Sequence, residues 1–367
     1  RSRGLGDVYK RQILLNNRYC KFYFYMERSR NLSIDILKFF AVLLITNSHM
    51  EKVYADYGAL STGGAIGDAL FFFCSGFTLF LGRMGRFDAW YKRRIRRIYP
   101  SVFGFALVAS ICFASTSNML HVILSGGGQF VSCIMLSYIV LYMVRKLFSC
   151  HLNAVFMAVG LFIVLWYIFL FEHKEMVWMY KGSTIKWFCY FLSMLLGAII
   201  GLRSKEQPQT VIGGGKNMLQ IMSVLLFCTL LFYGIQIAGN RYVWVAHLQV
   251  LTVLPLIGII YYFYRLANTE IMQRFFQGRC WNFMGMTIGG LCLEIYLVQM
   301  PILTGEERCL PFGGNTDDLL PLFPLNILVL LAIILMLAYI TRCVGRFFQQ
   351  TFDNRDGYEW KEILRLR

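Results

Sequence analysis

Charge is scarce in this chain: only 15 % of its 367 residues are Asp, Glu, Lys or Arg, against about 25 % in an ordinary soluble domain. At the same time 57 % of it is apolar or aromatic. A water-soluble fold of this size needs more polar surface, and a disordered chain needs far less apolar content, so both classes are excluded. Although cysteine occurs 11 times, there is no CxxC and no Cys/His cluster at ligand spacing, which argues against a structural zinc site and a disulfide framework. No internal repeat stands out, so transporter folds built from duplicated halves gain no support. Acidic residues are few, 20 against 36 Lys and Arg, leaving a formal net charge of +16. In a polar chain that surplus would suggest nucleic acid. In one this apolar it marks basic residues kept on the cytoplasmic face of a bilayer, and nucleic acid is not an expected partner.

What is abundant is length of apolar run. Ten stretches of about 17 to 25 mainly apolar residues lie near 34–51, 63–82, 99–116, 128–144, 152–171, 184–202, 217–238, 242–264, 284–303 and 322–341, each long enough to cross a membrane as a helix. The expected fold is therefore an all-α integral membrane protein with about ten transmembrane helices. Residues 1–25 are expected to lie outside this fold: Ser2 to Gln12 read like the translation of a sequencing adapter, the stretch lacks a signal-peptide pattern, and Met26 opens a natural-looking start. The membrane domain is expected over 26–347, followed by a basic tail over 348–367. Downstream of Met26, 23 of 30 Lys and Arg fall in alternate connections and the two ends, five fall in the opposite connections and two within spans. By the positive-inside rule both termini are then cytoplasmic, and the tail, with Phe347, Phe348 and Trp360, lies on the inner leaflet.

Ionisable groups at bilayer depth are costly and mark function or a structural necessity. In the first span Lys38 and His49 are eleven positions apart, which puts them within about 20° on one helix face and about 16 Å apart along the axis. Lys38 on its own also reads as a snorkelling anchor, and His49 as an interfacial histidine. In the second span Asp68 and Ser75 share a face, with Asp68 at a depth where it could orient His49. Ser75 and Gly76 also suit close helix packing. Between spans two and three stands the densest charge of the chain, Arg93, Arg94, Arg96 and Arg97, at the expected start of a helix, where guanidinium forks and helix N–H groups both favour phosphate. Anionic lipid headgroups would satisfy the same cluster. In the ninth span Glu294 and Gln299 point about 140° apart and so serve different cavities; Gln299 shares its side with Tyr296 and matches His49 in depth. In the eighth span, His247 reads as a packed, hydrogen-bonded residue. The triple-glycine runs at 126–128 and 213–215 read as linkers rather than nucleotide loops.

Taken together these segments resemble the acyltransferase-3 family of bacterial integral-membrane acyltransferases over Arg30 to about Phe347. RNLSIDILKFFAVLLITNSHM is similar to that family's first span, with Lys38 and His49 at its basic and histidine positions; LFFFCSGFTLF is similar to its FFxxSGF segment; RRIRRIYP carries its RxxR, as Arg94 and Arg97 or as Arg93 and Arg96; LEIYLVQMP is similar to its late segment, with Gln299 where many members have histidine. The resemblance implies a multi-pass protein of the bacterial inner membrane that transfers an acyl group, usually acetyl, from cytoplasmic acetyl-CoA to a hydroxyl of a surface polysaccharide or lipid-linked sugar. It implies no tightly bound cofactor and no metal. Lys38, Ser75 and the four arginines would hold the donor. His49 would act as general base or transient acyl carrier, with Asp68 and Gln299 beside it. Gln299 could donate a hydrogen bond to an oxyanion but could not shuttle protons. Two other classes share these features, a glycan or lipid-precursor transporter and a catalytically silent relative.

Overall fold

The computed structural model describes residues 31–113, 119–170, 184–206, 211–304, 308–353 and 357–365. The expected leader, 1–25, lies outside them. The described helices fall in a unit that runs from Ser33 to the end of the chain, the second of the two into which the chain divides. Among the described residues the second unit is helical throughout, with two isolated bridges and no strand. Twelve helices organise it: α1 Leu32–Ser48, α2 Gly64–Leu81, α3 Phe87–Cys112, α4 Gln129–Leu147, α5 Leu152–Phe169, α6 Ile185–Glu206, α7 Gly215–Arg241, α8 Val253–Ala267, α9 Glu270–Gln277, α10 Arg279–Gly290, α11 Cys292–Leu303 and α12 Leu325–Phe352.

Eight of the described helices are long and apolar enough to cross a membrane, and a ninth crossing arises if α10 and α11, bent by 69° at Leu291, count as one broken span. The remaining expected span is α1, whose 17 residues fall just short of that length. It nevertheless covers the same depth as α2, against which it runs antiparallel. Cys74 Sγ meets the Ile34 carbonyl near one end, and a side chain on Gly64 would collide with Ser48 Oγ at the other. The eighth expected span also differs. Its regular helix starts only at Val253, after a kinked segment in which His247 is exposed, which corrects the reading of His247 as a packed core residue.

Apolar side chains alone do not drive helices together in lipid, so packing follows close backbone approach. The tightest seam joins α2 and α6. A Cβ on Gly76 would stand 1.8 Å from the Met194 carbonyl oxygen, and one on Gly197 would stand 2.1 Å from that of Phe73. Gly76→Leu is therefore expected to lower stability by several kcal/mol, beyond the usual 1–3 kcal/mol of overpacking, because backbone rather than a flexible side chain blocks the space. A loss of monodisperse, detergent-soluble protein and a lower unfolding midpoint would register it; a fully stable variant would contradict the seam. A second antiparallel seam joins α3 and α12, where Gly104 faces Thr341 and Gly345 faces Pro100. α5 and α7 lie at the periphery and present apolar side chains such as Leu161, Phe169, Leu226 and Phe227 outward, as lipid contact requires.

Beyond α12 the chain folds back on that helix. Arg346 Nη1 donates to the Glu362 carbonyl at 2.9 Å, Tyr339 Oη to that of Leu364 at 2.7 Å, and Phe347 stacks on Tyr358. Two ends of the molecule can thus be told apart: an arginine-rich end, with the starts of α1 and α3 and the close of α12, and an opposite end, with His49, the close of α3 at Cys112 and the close of α11.

Candidate active site

The arginines do not sit at a helix start. α3 begins at Phe87, so Arg93 to Arg97 lie in its second and third turns, and the first-turn N–H groups belong to a different place. Asp88 in the first turn favours a helix start there, so α3 begins well outside the apolar run. Within the helix the four arginines separate. Arg93 Nη2 donates to the Arg83 carbonyl at 3.3 Å, and Arg96 pairs with Asp353 at 3.3 Å. Arg94 instead lies over the buried Trp90 ring, 5.5 Å from its centroid, with Nε buried and unpartnered. Arg94 and Arg97 are both within electrostatic reach of Tyr138 on α4, whose phenol is hydrogen-bonded to Ser75.

Arg97 and Lys38 also converge electrostatically on Cys292, the first residue of α11. The break at Leu291 makes this possible. α10 stops at Gly290, and its last glycines allow close approach: a Cβ on Gly289 would stand 3.6 Å from Lys38 Cβ, and one on Gly290 would stand 3.0 Å from Arg342 Nη1. Arg342 Nη1 is buried without a hydrogen-bond partner. Lys38, Arg97 and Arg342 thus gather around the N-terminus of a half-length helix, with Arg94 close to Arg97. Against them stand Asp35, one turn before Lys38, and Glu294, whose Oε1 accepts from Ser101 Oγ at 2.7 Å. Four cations against two carboxylates, with a helix N-terminus beside them, make an environment for an anion.

Beside this cluster a narrow crevice, with room inside for little more than a water molecule, runs along α11. Val42, Ile45 and Thr46 of α1, Phe71 of α2, Phe130 at the start of α4, and Cys292, Tyr296 and Gln299 of α11 line it, and its walls are almost wholly apolar. Cys292 marks the cation end. Gln299, seven residues or about 10 Å further along the helix, marks the other. There Thr46 Oγ1 donates to Gln299 Oε1 at 2.7 Å. Gln299 is fully buried, and its Nε2 has no partner. His49 follows one turn after Thr46, its N–H bonded to the Thr46 carbonyl at 3.1 Å, half-buried at the end of α1.

Asp68 is engaged elsewhere. It is hydrogen-bonded to Tyr190 and lies within reach of the Lys186 charge, both on α6. The expected orientation of His49 by Asp68 therefore has no contact behind it among the described residues; α6, pressed against α2 by the glycine seam, supplies the partners instead. Glu294 and Gln299 do face different neighbourhoods, Ser101 and Thr46 respectively. Sequence reasoning placed Tyr296 on the side of Gln299 and missed Arg342, Thr46, Tyr138 and Tyr190. For Arg342 a signal existed, a cation at the close of an apolar run; the rest are polar groups of ordinary frequency in such spans, with nothing in spacing to single them out.

Residues 31–343 match a family of proteins described as carrying an acyltransferase domain, acyltransferase-3. No curated protein and no solved structure matches the chain.

Proposed function

We propose, from the premise that this chain belongs to the acyltransferase-3 family, that it carries an acyl group, acetyl or one of similar size, from acyl-CoA at the arginine-rich end to a hydroxyl presented at the opposite end. The acceptor is a surface polysaccharide or lipid-linked sugar, and the arginine-rich end faces the bacterial cytoplasm. The observation that supports this reading best is the apolar crevice with a cation cluster at one end and, at the other, an unpartnered amide held by Thr46 one helical turn before His49.

Arg94, Arg97, Lys38 and Arg342 hold the phosphates of the coenzyme, with charge-assisted hydrogen bonds in a site partly shielded from water. The apolar walls part to admit the thin pantetheine arm and lead the thioester toward Gln299. His49 takes the proton of the acceptor hydroxyl as its oxygen adds to the thioester carbonyl. The oxyanion so formed accepts a hydrogen bond from Gln299 Nε2, which Thr46 holds in place by occupying Oε1. Collapse of the intermediate expels the coenzyme thiolate, which then takes up a proton, and leaves the acyl ester on the acceptor. Asp68 acts at a distance from the reacting atoms, holding α2 and α6 in register through Tyr190 and Lys186.

Coenzyme-thiol release from acetyl-CoA by the purified protein with cell-envelope glycan, together with the appearance of an acyl ester on that glycan, tests the reading. Release without ester formation, or neither in the presence of a glycan known to be modified in the cell, would count against it. Gln299→Ala is expected to lower kcat about 100-fold with little change in KM, the usual consequence of losing one oxyanion donor. A pure rise in KM would reassign Gln299 to substrate binding.

A further inference from the structure

At the end opposite the arginines a second polar constellation is left unused by the transfer step. Arg308 lies in the connection between α11 and α12 with its side chain only 5 % exposed. Its Nη2 pairs with Asp317 Oδ1, while Nε and Nη1 are buried without any hydrogen-bond partner. Open guanidinium donors inside a protein are rare because each forfeits its hydration without return. Asp317 is 43 % exposed, so the carboxylate side of the pair reaches solvent.

The backbone around it is fixed. The Arg308 carbonyl accepts from the Thr316 N–H at 3.1 Å, and Cys309 bridges to Asn315 around Gly313 and Gly314, both at φ near +100°. Cys309 N donates to the Pro301 carbonyl at 3.1 Å, and Thr316 Oγ1 to that of Ile302 at 2.8 Å. Pro301 and Ile302 follow Gln299 by two and three residues, so the constellation is tied to the turn of α11 that ends the crevice. At the tip of the same hairpin Phe312 stands 78 % exposed at φ +65°, an uncommon backbone state for a bulky residue.

Open donors, a half-solvated carboxylate and an exposed ring together select a ligand class. A lipid chain would leave the donors open, and a simple anion would meet the Asp317 charge. A sugar satisfies all three: its hydroxyl oxygens accept from the guanidinium, its hydroxyl protons go to the carboxylate, and its C–H face covers an aromatic ring. We propose that Arg308, Asp317 and Phe312 form a saccharide subsite that holds the acceptor glycan at the far mouth of the crevice. Its use in catalysis rests on the acyl-transfer reading above, but the binding itself does not.

The test is read without any acyl donor. The full chain in lipid nanodiscs is titrated with maltoheptaose, chitohexaose and a hyaluronan hexasaccharide by saturation-transfer NMR. At least one is expected to bind, and Phe312→Ala, at an exposed tip where folding is little burdened, is expected to weaken that binding tenfold or more with the unfolding midpoint unchanged; Asp317→Asn is expected to weaken it as much, with a lower midpoint because it strips the buried Arg308 of its counter-charge. Inorganic phosphate at equal concentration is expected not to displace the sugar. Absence of binding by all three, equal binding by parent and both variants, or displacement by phosphate would each overturn the subsite. Since no thiol is released in this experiment, its failure would leave the roles of His49 and the arginines as they stand, and their failure would leave the subsite.

Discussion

His49→Ala is expected to lower acyl transfer about 10³-fold, within the range that a positioned general base contributes. An acceptor hydroxyl is a poor nucleophile at neutral pH, and near the end of the crevice His49 is the side chain suited to take its proton. Thr46 and Gln299 can only donate or accept hydrogen bonds, and Asp68 is committed to Tyr190 and Lys186. The fold should survive the change, because α1 closes through the backbone bond from His49 N to the Thr46 carbonyl, which alanine keeps. Thiol release and ester formation in nanodiscs, with the unfolding midpoint as control, measure the effect. His49→Gln sharpens it: glutamine restores a polar group but no proton transfer, so it should remain as inactive as alanine. Either variant keeping more than a tenth of parental activity would remove His49 from the reaction.

The second large effect concerns the arginines. Replacing Arg94 and Arg97 together with glutamine is expected to raise KM for acetyl-CoA by about 100-fold or more, since two hydrogen bonds to a charged phosphate contribute about 1.5–3 kcal/mol each and each 1.4 kcal/mol is tenfold. The same double change at Arg93 and Arg96 should alter KM less than about threefold. Arg93 is bound to the Arg83 carbonyl, and Arg96 makes a surface pair with Asp353 of the kind that contributes about 0–1 kcal/mol. Spacing alone leaves the two pairs equivalent. Surroundings do not, since Arg94 and Arg97 lie within electrostatic reach of Tyr138. Equal effects of the two double variants would show that the cluster acts as diffuse charge, and a strong salt dependence would accompany that outcome.

Much of the architecture is legible in the sequence because a bilayer enforces it: an apolar run of twenty residues has few alternatives to a helix. The family, too, rests on short segments whose order survives in the structure. What the runs do not reveal is where regularity breaks. The 284–303 stretch looks like one span, yet GMTIGGLCLE bends at Leu291, since paired glycines permit but do not dictate a bend, and the neighbours that fill it, Lys38 and Arg342, lie more than 250 and 50 residues away in the chain. Partner choice is equally hidden. The sequence puts Asp68 and His49 at comparable depth, whereas α2 meets α1 with Gly67 beside Ala41 and Ile45, and the glycine seam between α2 and α6 decides that Asp68 meets Tyr190 and Lys186. A helical-face argument sees one helix at a time, and such seams are properties of pairs.

The bend at Leu291 has a consequence for how the protein meets membranes of different thickness. α11 is 12 residues long, about 18 Å, while the peripheral α7 has 27 residues, about 40 Å, more than the roughly 30 Å of a hydrocarbon core. The outer ring can tilt to match thicker or thinner lipid at modest cost. The interior path from Cys292 to Gln299 stays the same length, because it is set by two turns of one short helix. Reconstitution in lipids of longer or shorter chains should therefore shift stability and tilt while leaving the reach demanded of the donor unchanged, so that the protein carries its own fixed, thinner barrier inside a variable one.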